Sequence, residues 1–177
     1  SSEILCGSFL TEGALGTGSF HDTQTRLYGL FCGGTLCSEA KHLIGGDHTF
    51  IDFGDDDYTQ GKPHPMIDPS TRAETFKERL QLVDTALILF DIVCGFGSHP
   101  DPVAPIVEAI ESVTRQRNGI QNVTLIASVV GTEQDPQRYS EQVAQLESVG
   151  VMVAPSNARA AELAKTIWNR SKKEVLA

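Results

Sequence analysis

Five short apolar runs recur along the chain and constrain its fold more than any other feature: LYGLFC (27–32), HTFIDF (48–53), TALILFDIVC (85–94), VTLIASVV (123–130) and VGVMVAP (149–155). Each is rich in branched or aromatic residues, and most are nearly continuous. Strands that are covered on both faces, as in a parallel sheet, have this pattern. The stretches between them read as amphipathic helices. Val103, Ile106, Val107, Ile110 and Val113 fall at spacings of three and four, one face of a helix that Asp101-Pro102 is suited to open. Asp68-Pro69 opens a helix containing Phe76 and Leu80. Asp135-Pro136 opens another, with Tyr139, Val143, Leu146 and Val149 on one face and Gly150 at its end. The last helix, NARAAELAKTIWNR, turns Ala161, Ala164, Ile167 and Trp168 inward and ends basic, which suits its dipole.

Strand and helix thus alternate five times, which predicts an α/β doubly wound parallel five-stranded sheet, flavodoxin-like, in the order 2-1-3-4-5. Right-handed crossovers then place every strand-to-helix turn on one edge of the sheet. One crossover is short. From Leu36 to Ile44 there is little room for a helix before Gly45-Gly46, which predicts residues missing between Ile44 and Gly45. Residues 1–24 contain GALGTGSF, which reads GxxGxG and opens no helix, so they are expected to be an arm or linker to a domain at 25–177.

Composition narrows the setting. Forty per cent of the 177 residues are apolar, enough for a substantial core, yet no run approaches the roughly 20 needed to cross a bilayer. The start, SSEILCGSFL, lacks a basic region of the secretory kind. With no bilayer-crossing run a membrane is not an expected partner, and the formal charge of −9 repels phosphate backbones, so neither is nucleic acid. Cys6, Cys32, Cys37 and Cys94 form no CxxC pair and are expected as free thiols packed in a reducing cytoplasm. Cys32 and Cys94, ending adjacent strands, also admit a thiolate or soft-metal site beside His99.

In order 2-1-3-4-5 the ligand edge lies between strands 1 and 3, whose following turns read CGGTLC and CGFGSHPDP. Glycines let a backbone approach a ligand, and a helix start offers unpaired amides with partial positive charge. Gly33, Gly34 and Thr35 are therefore the candidate phosphate-binding residues, with Leu36 as a further amide. Capping alone also accounts for a Gly-Gly-Thr turn. Asp52, Asp55, Asp56 and Asp57 crowd the end of strand 2. Asp55 and Asp56 are the candidate magnesium ligands, the alternative being a solvated acidic turn. His64 stands between two prolines that limit its freedom, and His99 lies just past a strand end. Both are candidate catalytic residues, His99 as base, phosphoryl acceptor or ligand, or else as a loop cap.

The turn Gly34-Thr35-Leu36 with Glu39-Ala40 resembles the phosphate-facing helix start of the succinyl-CoA synthetase superfamily. More specifically, GLFCGGTLCSEA, IDFGDDDYTQGKPHPMIDP, GFGSHPDP and ASVVGTEQDPQ with VAPSNARAAELA resemble the FdrA family over residues 29–164. The resemblance implies an acyl-CoA synthetase-like ligase domain of flavodoxin-like fold. It also implies a contribution to acyl or carbamoyl transfer with a phosphate-bearing small molecule, as in an oxamate carbamoyltransferase of purine-ureide catabolism. CoA or a nucleotide would be held through a partner domain or subunit of an oligomer, with no covalent cofactor. The chain departs from the superfamily in one respect. None of His21, His42, His48, His64 and His99 lies in the Gly-His-Ala-Gly context of its phosphohistidine, nor is there a Gly-Glu-Ile-Gly-Gly segment. The alternative is a non-catalytic interaction half of a larger ligase or transferase. A phosphoreceiver domain would need acidic residues where CGG stands, and a flavin module a more hydroxyl-rich first turn.

Overall fold

The structure, a computed structural model, describes residues 20–117 and 123–175. In chain order the elements are β1 (Arg26–Phe31), α1 (Gly34–Ile44), β2 (Thr49–Asp52), α2 (Asp56–Thr59) and α3 (Ser70–Gln81). They continue with β3 (Thr85–Val93), α4 (Ala104–Arg117), β4 (Thr124–Val130), α5 (Tyr139–Ser148), β5 (Met152–Ala154) and α6 (Asn157–Val175). The five strands form one parallel sheet in the order β2-β1-β3-β4-β5, as the alternation requires.

The apolar runs are continuous because neighbouring residues face different cores. Tyr28, Leu30, Ile88, Phe90, Leu125 and Ala127 pack toward α3, α4 and α5, against Phe76, Leu80, Ile106, Ile110, Val113 and Leu146. Leu27, Phe31, Leu87, Leu89 and Ile126 face the opposite way, toward Cys37, Ala40 and Ile44 of α1 and toward α6. Ala160, Ala161 and Ala164 are fully buried, so α6 lies close on the sheet and on α1.

The short crossover closes with the residues present. Helix α1 begins at Gly34 and runs 11 residues, and the return to β2 uses Gly45 and Gly46 at φ 66° and 78°. Only glycine adopts such angles without cost, so the missing residues expected between Ile44 and Gly45 are not needed. The edge strands β2 and β5 are shorter than their apolar runs, because each has a partner on one side only. Helix α5 starts three residues later than expected, at Tyr139 and not at Pro136. Asp135 instead closes a turn by accepting from the Thr132 amide (2.6 Å), while Glu133 caps the helix through the Ser140 amide (2.7 Å) and hydroxyl (3.0 Å). Asp101 accepts from the Ala104 amide at 3.1 Å and so caps the start of α4, but the helix begins two residues after Pro102, which lies outside it.

Most of the expected arm, residues 1–19 with Cys6, lies outside the described residues. Residues 20–24 belong to the domain. Phe20 packs on Trp168 at 6.0 Å between ring centroids, and the Gln24 side chain donates to the Thr85 carbonyl at 2.9 Å. Among the described residues no helix is long and apolar enough to cross a membrane.

Candidate functional site

The turn after β1 is held from beneath by a buried carboxylate. Asp91, in the middle of the apolar strand β3, is fully buried, and its two oxygens accept from consecutive amides, Cys32 at 2.8 Å and Gly33 at 3.0 Å. Its charge is met by Arg72 of α3, itself 2% exposed, whose Nη1 donates to Asp91 Oδ1 (2.8 Å) and to the Asp91 carbonyl (2.7 Å). Gly33 is the N-cap of α1 and offers no side-chain cap. Its own amide is committed to Asp91, so it shapes the turn and is not an open donor. The amides of Gly34, Thr35 and Leu36, in the first turn of α1, have no acceptor within the helix. Thr35 is exposed, with its hydroxyl on the same rim.

The end of β2 lies beside this helix start. Asp52 Oδ1 accepts from the Gly54 amide at 2.9 Å. Its other oxygen is so close to Gly34 that a Cβ on that glycine would lie 2.5 Å from it. His64 comes to the same place. A Cβ on Gly54 would lie 2.8 Å from His64 Nε2, 3.1 Å from the Cys32 carbonyl and 3.2 Å from Asp52 Oδ1. Glycine at 34 and 54 is what lets these groups converge. His64 Nδ1 accepts from the Met66 amide (3.2 Å), so in the neutral ring the proton is on Nε2, facing Gly54.

His99 meets this loop through its backbone. Its amide donates to the Met66 carbonyl at 2.6 Å. Its Nδ1 lies 2.9 Å from the Asp101 carbonyl and 3.1 Å from the Asp101 amide, closing its own turn. Gln137, 4% exposed, secures the same loop from the β4–α5 side, accepting from the Gly95 amide and donating to the carbonyls of Gly95 and His99. The structure therefore joins the His64 and His99 loops, with His64 toward the helix start and His99 toward Asp68. The Ser70 hydroxyl and amide hold the Asp68 carboxyl below its ordinary value, and the charges of His99 and Lys62 act in the same direction. On the same loop Phe96 is 89% exposed, between Gly95 and Gly97.

Asp55 and Asp56 are exposed, and Asp55 caps the short α2 by accepting from the Asp57 amide at 3.1 Å. Among the described residues no group of three or more His, Cys, Asp and Glu side chains is placed to hold a metal ion. The described cysteines are buried free thiols. Burial pushes Cys32 up to about 12, against the opposing charge of Arg72. Burial also raises Cys37 and Cys94 to about 11, with Asp52 adding at Cys37 and Asp135 at Cys94. They are packing residues, not nucleophiles. A recess of about 270 Å³ bordered by Ile44, Gly46, His48 and Trp168 lies at the opposite edge of the sheet.

Sequence reasoning passed over three residues of this site. Asp91 was visible as the one carboxylate inside the apolar run TALILFDIVC, where it must have partners. Arg72 and Gln137 gave no signal, because their partners are 19 and 42 positions away.

Comparisons with known proteins agree with this architecture. Residues 30–167 match the family model described as CoA-ligase. The chain is 37% identical over 167 residues to the uncharacterized protein YahF of Escherichia coli (strain K12), covering 80% of this chain and 32% of that one. Among solved structures, a dinucleotide forming acetyl-coenzyme A synthetase 1 of Ca. Korarchaeum cryptofilum, in complex with phosphate and ADP, superposes with a TM-score of 0.58 at 15% identity. It covers 85% of this chain and 34% of that one. PH0766 of Pyrococcus horikoshii OT3 gives a TM-score of 0.53 at 13% identity, over 84% of this chain and 36% of that one. These two likenesses concern the fold. The chain spans about a third of the length of the relatives it matches. With most of its length matched by the family model, the chain belongs to the CoA-ligase family.

Proposed function

We propose that this domain contributes the anion-binding edge of a site for acyl or carbamoyl transfer with a phosphate-bearing substrate, within a larger acyl-CoA synthetase-type assembly. The observation that carries the reading is the start of α1. There, three amides without helical acceptors, Gly34 to Leu36, stand next to Asp52, whose carboxylate reaches both Gly34 and the Gly54 position that His64 Nε2 faces. When an acyl or carbamoyl phosphate transfers its group, the carbon–oxygen bond to phosphate breaks and charge develops on the departing oxygen. Fixed amides at a helix start stabilise such charge without reorganising. Asp52 beside Gly34 limits the anion to the outer side of this turn. In this reading His64 gives or takes a proton there, and His99 orients the loop. CoA or a nucleotide would be bound largely by a partner domain. Asp55 and Asp56 would be the residues to hold magnesium, whose charge would offset that of the phosphate.

The residues shared with the FdrA family extend the proposal to an oxamate carbamoyltransferase component of purine-ureide catabolism, cytoplasmic and oligomeric. The phosphate and ADP of the Korarchaeum neighbour are consistent with a phosphate-bearing substrate. A second reading, an interaction half without chemistry of its own, is favoured by one observation: Phe96 stands 89% exposed on this rim. Calorimetric titration with carbamoyl phosphate and with ADP tests the first reading. Gly34→Ala combined with Thr35→Val should abolish the binding seen in the wild type, and unchanged binding overturns the assignment.

A further inference from the structure

We infer that the buried Arg72–Asp91 pair is a positioning device that holds the start of α1 and the His64 loop in one mutual register. The inference deepens the anion-site reading above and rests on it for its functional meaning. Both side chains are withdrawn from water, Arg72 at 2% and Asp91 at 0% exposure. Taking two charges out of water is costly, and well-packed apolar residues often fill such a place as stably. What the ions contribute is therefore sought in the groups they hold.

Those groups come from three elements. Asp91 Oδ1 accepts from the Cys32 amide and from Arg72, and Oδ2 accepts from the Gly33 amide. Two consecutive amides and a cation need a carboxylate. An asparagine would turn an NH2 group toward one of the amides. Arg72 sits in the first turn of α3, immediately after the loop that carries His64, and its Nη1 also holds the Asp91 carbonyl. One carboxylate thus fixes where β1 ends, and its counter-ion fixes where the His64 loop ends. Arg72 Nε is buried without a hydrogen-bond partner. The guanidinium is aligned on Asp91 even though this leaves one of its donors unpaired, which packing alone would not require. Because Cys32 and Gly33 spend their amides on Asp91, the pair also decides that Gly34, Thr35 and Leu36 are the donors left for an anion, and where His64 stands relative to them.

The test uses the 177-residue chain and the variants Arg72→Met, Asp91→Asn and the double variant Arg72→Met/Asp91→Asn. Urea unfolding reads stability. Amide signals of Gly34 to Leu36 and ring signals of His64 read register, with α5 amides as the internal control. Orthophosphate titration reads binding. Arg72→Met should be strongly destabilised, since it leaves a buried carboxylate uncompensated. The double variant should recover part of that stability, because the uncompensated charge is gone although one amide still faces an NH2 group. Its Gly34–Leu36 and His64 signals should nevertheless stay displaced, with orthophosphate affinity down about tenfold or more. A double variant with wild-type signals in both segments and wild-type affinity overturns the inference, because the pair is then merely structural. If the wild type itself binds no orthophosphate, the anion-site reading fails, while the displaced or unchanged signals still decide the positioning role. Should the double variant not fold, the same signals are read in Asp91→Asn, which keeps Arg72 and the side-chain shape.

Discussion

Gly54→Ala probes the convergence at the β2 end most directly. The new Cβ would lie 2.8 Å from His64 Nε2, where ordinary contact begins at 3.4 Å, so the ring must retreat by about 0.6 Å. Retreat of the alanine is blocked by the Cys32 carbonyl at 3.1 Å, a backbone atom, and by Asp52 Oδ1 at 3.2 Å, which is held by the Gly54 amide. Overpacking of this kind costs about 1–3 kcal/mol. The loss of glycine's freedom in the unfolded chain returns about 0.4–1 kcal/mol. A net loss of about 1–2 kcal/mol in a domain this size lowers Tm by roughly 2–8 °C. Urea unfolding, followed by the fluorescence of the single tryptophan, Trp168, measures it. The contact itself is isolated by repeating the substitution in a His64→Ala background, where the ring is gone. There the cost should shrink by about 0.5 kcal/mol or more, a coupling that a double-mutant cycle resolves. Equal costs in both backgrounds, or no cost in either, would show that His64 does not stand against Gly54, and the site geometry built on it would be wrong.

The buried thiols give a second expectation. With Cys32 raised to about 12 and Cys37 and Cys94 to about 11, from a usual 9.0, their thiolate fractions at pH 8 fall by about two to three orders of magnitude. Iodoacetamide should label them at that pH only on unfolding, and rapid native labelling of Cys32 refutes the packing role. Because these folded-state values are raised, their contribution to stability is complete below pH 9 and is lost as pH rises toward 11–12. Asp68 has the opposite sign. Its lowered value means a contribution present above the ordinary carboxylate range and lost as pH falls through the lower folded-state value. Ser70→Ala, which keeps the Ser70 amide, should move the Asp68 titration upward in a carboxyl-resolved NMR experiment, and an unmoved titration removes the Ser70 hydroxyl as a cause.

How far the sequence could be read depends on the distance over which each feature is encoded. The runs 27–32 and 85–94 announce buried parallel strands by themselves, because a strand covered on both faces cannot alternate. The five-fold alternation fixes handedness and hence the shared edge, since β-to-α crossovers turn one way. Gly33-Gly34-Thr35, His64 and His99 could be placed on that edge from order alone. The start of α5 could not, because Asp135 has two competing local uses, and the choice went to Thr132.

What the sequence by itself determined is therefore the doubly wound sheet, its order, and which turns crowd the ligand edge, all consequences of local periodicity and chain chirality. Only the tertiary structure decided which amide is spent and which is open. The acceptor for Cys32 and Gly33 lies 59 and 58 positions away in β3, and the arginine that neutralises it lies 19 positions before that acceptor on another helix. A buried charge takes its partners from whatever the fold brings within hydrogen-bond reach, and no periodicity along the chain records that choice.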